Sequence, residues 1–120
     1  MKILTKAEEE IMKVLWDLDF AFVKDIISQL PDPKPAYNTV STFIRILEQK
    51  GFVGHEPHGR SHKYYPIINK EAYTKTCMKG LVSNYFSGSF KQMVSFFTNE
   101  EDLSIAELEQ LIKEIKKKKS

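Results

Sequence analysis

Asn38, Ser41, Thr42, Arg45 and Gln49 recur at helical spacing within the stretch Tyr37 to Gly51, and at about 100° per residue they gather on one side of a helix. Val40, Phe43, Ile44 and Leu47 fall on the other side. A solvated helix face ordinarily mixes Lys with Glu, because opposite charges four residues apart support each other. The polar arc here holds no acid. It offers short hydrogen-bonding side chains and one guanidinium, the groups that reach phosphates and base edges in a major groove. The ordinary alternative is a surface helix that is simply poor in acids. Gly51 follows the last turn, where a residue tolerant of positive φ is favoured.

The segments on either side must hold that helix outward. Thr5-Lys6-Ala7-Glu8 forms a capping box, in which the Thr hydroxyl and the Glu carboxylate each satisfy a free backbone N–H. Ala7, Ile11, Val14, Leu15 and Leu18 follow at helical spacing, with Met12 and Trp16 widening the stripe. This is a core helix, and Trp16 is packing rather than a ligand. Asp17-Leu18-Asp19 breaks the pattern, and Val23, Ile26, Ile27 and Leu30 repeat it over a short second helix. Pro31, Pro33 and Pro35 form a stiff turn, since proline fixes its own φ and restricts the residue before it. Two helices, a turn and a third helix with a polar outer face outline a helix-turn-helix.

After Gly51 the period changes to short aromatic runs, Phe52 to Glu56 and Ser61 to Ile67, separated by Pro57-His58-Gly59-Arg60. They predict a β-hairpin with Arg60 at its tip and Ser61 and Lys63 close by. Such a wing rests its basic tip on a phosphate backbone or a neighbouring minor groove. From Lys70 the pattern is helical again, with Asn69 as cap. Apolar residues recur through Tyr73, Cys77, Leu81, Val82, Tyr85 and Phe86, then Phe90, Met93, Val94, Phe96 and Phe97. Ser104 to Glu107 form a second capping box ahead of Leu108, Leu111, Ile112 and Ile115. That much apolar surface on an arm argues for a partner subunit, most simply in a two-fold dimer. The alternative is that these helices fold back on the N-terminal domain.

Composition narrows the classes. The 28% of charged residues and the lack of a long apolar run argue for a soluble protein without direct membrane binding. No signal peptide is visible, and the single Cys77 fits a reducing compartment, so the cytoplasm is expected. The net charge of +2 is small, so its distribution matters more. Residues 1–35 carry five Lys against seven acids, whereas residues 36–65 carry two Arg and two Lys against Glu48 and Glu56, together with all three His. Positive charge is concentrated around the third helix and the hairpin. No nucleophile with a base, glycine-rich phosphate loop or metalloprotease His pair is present, so an enzyme is not expected, nor any cofactor. His55, His58 and His62 have a ligand-like spacing, but strand alternation sends their side chains to different faces, and no metal is expected. Their partial protonation would instead strengthen binding to a polyanion below neutrality.

Taken together, Thr5-x-Ala7-Glu8, Met12-x-x-Leu15-Trp16, Asn38-Thr39-Val40-x-Thr42, Lys50-Gly51-Phe52-Val53 and Gly59-Arg60 with Tyr64-Tyr65 resemble the penicillinase-repressor family. Glu100 to Ser104 extend the resemblance to the last helix. The resemblance implies a mainly α fold with a small β-hairpin: a winged helix-turn-helix DNA-binding domain over residues 1–69, and a C-terminal helical dimerisation region over residues 70–120. It implies a homodimeric transcriptional repressor on a palindromic operator of double-stranded DNA. In some members a membrane sensor protease triggers cleavage at an Asn-Phe pair in the dimerisation region. Here Phe96 stands where that Asn would be. The paired C-terminal Cys of the copper-responsive members are also missing, and Ile46 stands where many members have Arg.

The expected DNA contacts are Asn38, Ser41, Thr42 and Arg45 on base edges or adjacent phosphates, and Thr39, Lys50, Arg60 and Lys63 mainly on phosphates. The expected dimerisation residues are Leu81, Tyr85, Phe90, Val94, Phe97, Leu108, Leu111, Ile112 and Ile115. A competing reading from another class is a winged-helix module for protein docking without sequence-specific DNA binding. It requires an apolar outer face on the third helix, and apart from the flanking Ile46 that face is polar.

Overall fold

The fold is described by a computed structural model covering residues 2–99 together with 106, 107, 109, 110, 113, 114 and 117. The second capping box at Ser104 and the arm residues Leu108, Leu111, Ile112 and Ile115 lie outside the described residues. The elements follow in the order α1 (Lys6–Leu18), α2 (Val23–Gln29), α3 (Tyr37–Gln49), β1 (Val53–His58), β2 (Ser61–Pro66), α4 (Lys70–Tyr85) and α5 (Phe90–Asn99). The chain divides into two compact units, Met1–Cys77 and Met78–Ser120.

In the first unit, α1, α2 and α3 bring one apolar stripe each to a common core. Ile11, Met12 and Leu15 meet Val23, Ile26 and Leu30, and then Val40, Ile44 and Leu47. Phe52, Val53 and Tyr64 carry this core into the hairpin, and Tyr73 joins it from α4. The α1 capping box forms as expected: Thr5 N–H donates to Glu8 Oε1 at 2.8 Å, and Glu8 N–H donates to Thr5 Oγ1 at 3.3 Å. Ala7 and Leu18, the two ends of the expected stripe, are exposed; at the second end α1 stops and Asp19 turns the chain with φ of 67°. Trp16 donates from Nε1 to the Ile68 carbonyl at 2.9 Å, so its indole N–H is satisfied as the packing role requires.

The start of α4 belongs to this unit because Tyr73 is tied to it twice. Its hydroxyl donates to Glu9 Oε2 and accepts from the Leu4 N–H at 2.9 Å. Burial pushes the Tyr73 phenol well above its ordinary value, and the bond to Glu9 adds to the shift; the hydroxyl is therefore a proton donor throughout the neutral range. Asn69 caps the helix by accepting from the Ala72 N–H.

The hairpin is longer than the sequence suggests. The expected loop Pro57-His58-Gly59-Arg60 contracts to Gly59-Arg60, with Gly59 at φ of 62°, and β1 continues to His58. The register explains how a strand accommodates Pro57. Tyr64 exchanges both backbone bonds with Ala21, not with β1, so the His55–Tyr64 pair is of the non-hydrogen-bonded kind. Pairs two residues either side, Pro57–His62 and Val53–Pro66, are of the same kind by the alternation of antiparallel ladders. Both prolines therefore occupy positions where no N–H is needed. Ala21 acts as a one-residue third strand that anchors the hairpin beside α2.

Gly54 lies beneath the ring of its cross-strand partner Tyr65, and a Cβ there would sit 2.6 Å from the Tyr65 hydroxyl oxygen and 2.7 Å from Cζ. Gly54→Ala is expected to push this ring off Phe20, whose centroid is 5.9 Å away, at about 1–2 kcal/mol, the usual cost of overpacking. A thermal melt followed by circular dichroism checks this; an unchanged midpoint would mean that the ring is not seated over Gly54.

In the second unit, Ser87 and Gly88 both take positive φ and turn the chain between α4 and α5. Gly88 N–H donates to the Val82 carbonyl, and Ser89 Oγ accepts from the Gln92 N–H. Phe86 packs on Phe96, centroids 5.7 Å apart. Of the expected dimerisation residues described here, Leu81 and Val94 are half-buried, whereas Tyr85, Phe90 and Phe97 are exposed, as is Phe96.

Candidate nucleic-acid interface

The fold presents α3 with its polar arc outward. Val40, Ile44 and Leu47 are at most 1% exposed, which fixes the rotation of the helix. Asn38, Thr42, Arg45 and Gln49 are consequently exposed and Ser41 is half-buried. Thr42 donates its hydroxyl proton to the Asn38 carbonyl at 2.8 Å. It therefore offers its methyl group and oxygen lone pairs outward, a surface suited to the thymine methyl or to a donor on a base edge. Ala36 caps α3 without a side-chain bond, which leaves first-turn N–H groups and the positive end of the helix dipole open to an anion.

The hairpin stands beside α3 and encloses a cleft of about 530 Å³ with it, reached by Ser41 and Arg45 from α3, by His58, Arg60, Ser61 and His62 from the wing, and by Lys24 from α2. No Asp or Glu lines it. Among the described residues, the side chains of Lys24, Arg45 and Arg60 have no ion pair and no hydrogen bond. Tyr64 forms part of the wall; burial pushes its phenol above the ordinary 10.0, with Glu48 adding to the rise and Arg45 opposing it. It is a neutral donor wherever the unit is folded near neutrality.

Other expected residues are placed differently. Lys50 Nζ donates to both carboxylate oxygens of Glu8, at 2.9 and 2.8 Å. That ammonium is committed to tying the end of α3 to the start of α1 and is not on the polar arc. Thr39 is exposed on the flank opposite the cleft, beside Pro31, Pro33, Pro35 and Phe43. Lys63 is half-buried, its ammonium 5.1 Å from the centre of the Phe20 ring, a cation–π contact midway along the wing, where Lys63 pairs across the strands with Glu56. The histidines divide as alternation requires. His55 and His62 stack at 4.2 Å with planes 7° apart, and His55 Nδ1 bonds Glu48. His58 sits on the other face, edge-on to Phe22. Among the described residues no group of three His, Cys, Asp or Glu could hold a metal ion.

Lys24 and Tyr37 were not among the expected contacts. Both line the cleft. The available signal was positional: Lys24 is in the first turn of the helix before the recognition helix, and Tyr37 opens that helix, where first-turn side chains lie close to a docked backbone.

Three helices with the third displayed, followed by a hairpin whose tip leans over the same face, define a winged helix-turn-helix domain. The model of the penicillinase repressor family matches residues 4–117, and the chain belongs to that family. It is 28% identical over 116 residues to the methicillin resistance regulatory protein MecI of Staphylococcus aureus (strain N315), covering 96% of this chain and 94% of that protein. To the penicillinase repressor of Bacillus licheniformis it is 28% identical over 120 residues, covering 97% and 94%. The solution structure of the DNA-binding domain of the repressor BlaI superposes with a TM-score of 0.52 and 31% identity, over 60% of this chain and 92% of that one.

Proposed function

We propose that this chain is a DNA-binding transcriptional repressor that acts as a homodimer on a palindromic operator, with α3 in the major groove and the wing tip on the flanking backbone. The observation that carries the reading is the convergence of Lys24, Arg45 and Arg60, all without a protein partner, on an acid-free face beside the exposed Asn38 and Thr42. Unpaired cations on a concave face are the footprint of a polyanion. Membership of a repressor family and the likeness to a DNA-binding domain support the same assignment. Asn38, Ser41, Thr42 and Arg45 read base edges, and Arg60, Lys24 and Lys63 hold phosphates, with Thr39 in the first turn of α3 reaching a phosphate on the flank away from the cleft. Such a protein works in the cytoplasm; no described helix is long and apolar enough to cross a membrane.

Arg60→Ala tests the wing. Operator and random duplex should both weaken by a similar factor, and the slope of log K against log salt should flatten by about 0.9, the value for one phosphate contact on B-DNA. Fluorescence anisotropy at four salt concentrations measures both quantities. An unaltered slope would remove Arg60 from the interface.

Dimerisation rests on the arm. Tyr85, Phe90, Phe96 and Phe97 are 75%, 54%, 51% and 40% exposed in the single chain, more aromatic surface than an isolated arm keeps in water. With Leu81 and Val94 at helical spacing from them, they supply the self-complementary face of a two-fold contact. Tyr85→Lys combined with Phe97→Lys should convert the protein to a monomer in sedimentation equilibrium without altering the melting of residues 2–77. A dimer that survives both charges would place the contact elsewhere.

A further inference from the structure

The cleft between wing and recognition helix has features that a groove-tracking surface does not require. Its volume of about 530 Å³ lies in the range of small-molecule sites, so the cleft has room for a free ligand as well as for a DNA backbone. Its walls are of two kinds. Lys24, Arg45 and Arg60 supply charge without any internal partner. Tyr37, 59% exposed, and Phe22, held edge-on by His58 at 5.8 Å, supply flat apolar surface in the same cleft. Ser41 and Ser61 add hydroxyls between them.

We propose that this cleft binds a free nucleoside monophosphate, or a small phosphomonoester with a comparable flat ring, and that its occupancy excludes duplex DNA. The phosphate takes charge-assisted hydrogen bonds from Arg60, Arg45 and Lys24, the guanidinium forks matching its oxygens in pairs. The ring lies against Tyr37 and Phe22. Because Lys24 and Arg60 also serve the operator backbone and Arg45 its base edges, ligand and duplex compete, and the repressor becomes sensitive to the concentration of a small anion. The inference rests on the placement of Lys24, Arg45 and Arg60 at the DNA interface made above, but free nucleotide and duplex are separable ligands.

Titration of the full chain with adenosine 5′-monophosphate, followed by amide chemical shifts at constant ionic strength, tests it, with inorganic phosphate as comparison. The expected result is saturation, with shifts confined to residues 22–24, 37–45 and 58–64, and an affinity about tenfold above that of inorganic phosphate, the contribution of one stacked ring. Tyr37→Ala should abolish this preference while leaving inorganic phosphate unaffected. Lys24→Ala with Arg60→Ala should weaken adenosine 5′-monophosphate at least about tenfold, with an unchanged thermal midpoint as evidence of folding. Added nucleotide should raise the apparent dissociation constant for duplex in proportion to its own occupancy. Equal affinity for the two anions, non-saturating shifts, or shifts spread over the surface overturns the proposal. If duplex binding persists in that event, the repressor reading is untouched. Saturable nucleotide binding without any affinity for duplex would keep this site and remove the repressor reading.

Discussion

Lys50→Met is expected to lower the stability of the winged-helix unit by about 2 kcal/mol, below the range for a fully buried ion pair because the Lys50 side chain is 25% exposed. Glu8 is 2% exposed, and the Lys50 ammonium lies 2.8 Å from its Oε2. Methionine keeps the aliphatic stem but strands the carboxylate. The electrostatics set the sign with pH. Burial by itself raises the Glu8 carboxyl, yet the bonds from Lys50 and from Thr5 outweigh it and hold the group below the ordinary 4.5. A depressed carboxyl contributes stability above its unfolded value that is lost as pH falls through the folded one. In the variant the Lys50 bond is gone while burial and the Thr5 bonds remain, so the carboxyl moves up and protonation costs less. The stability gap between parent and variant should be widest near pH 7 and narrow towards pH 4, as read from urea unfolding at each pH. Glu8→Gln combined with Lys50→Met should recover much of the loss, because two neutral groups cost far less than one stranded charge. A gap that does not change with pH would mean that the pair is solvent-separated. The slope of duplex binding against salt should be unaltered, since Lys50 is not on the polar arc.

The same residue shows where reading the chain by itself runs out. The capping box at Thr5 and Glu8, the apolar stripes of α1 to α3 and the polar arc of α3 are patterns within one helix, legible from spacing alone, and the structure reproduces them. Lys50 was expected mainly on a phosphate. On the helical wheel it already falls about 120° from Asn38, but its partner is 42 positions away, and no local pattern reports that. Tyr73 reaching Glu9 and Leu4, and Ala21 acting as a strand for Tyr64, are likewise long-range pairings. The hairpin was legible as a hairpin, yet its turn was set too wide. Pro57 is ordinarily a loop signal, and only the bond between Tyr64 and Ala21 reveals that its position needs no N–H. The cleft was the least legible feature, since Lys24, Arg45 and Arg60 lie on three separate elements.

Arg45→Ala should lower the ratio of operator to random-duplex affinity by about 10- to 100-fold, as loss of one bidentate base contact costs about 1–3 kcal/mol of discrimination. The prediction is clean because the Arg45 side chain makes no hydrogen bond or ion pair with any described residue and is exposed. Its removal should leave the thermal midpoint of the unit within the small range of surface substitutions. Arg45→Lys separates two ways in which a cation acts here. A lysine restores charge but not the planar fork, so it should recover affinity for random duplex while the ratio stays low. The operator for this measurement is selected by the parent protein from a pool of random duplexes, and each ratio is determined by competition at two salt concentrations, since screening alters the phosphate part more than base readout. If Arg45→Lys were as discriminating as the parent, Arg45 would be a phosphate contact. Specificity would then rest on Asn38, Ser41 and Thr42, whose short side chains require α3 to lie deeper in the groove.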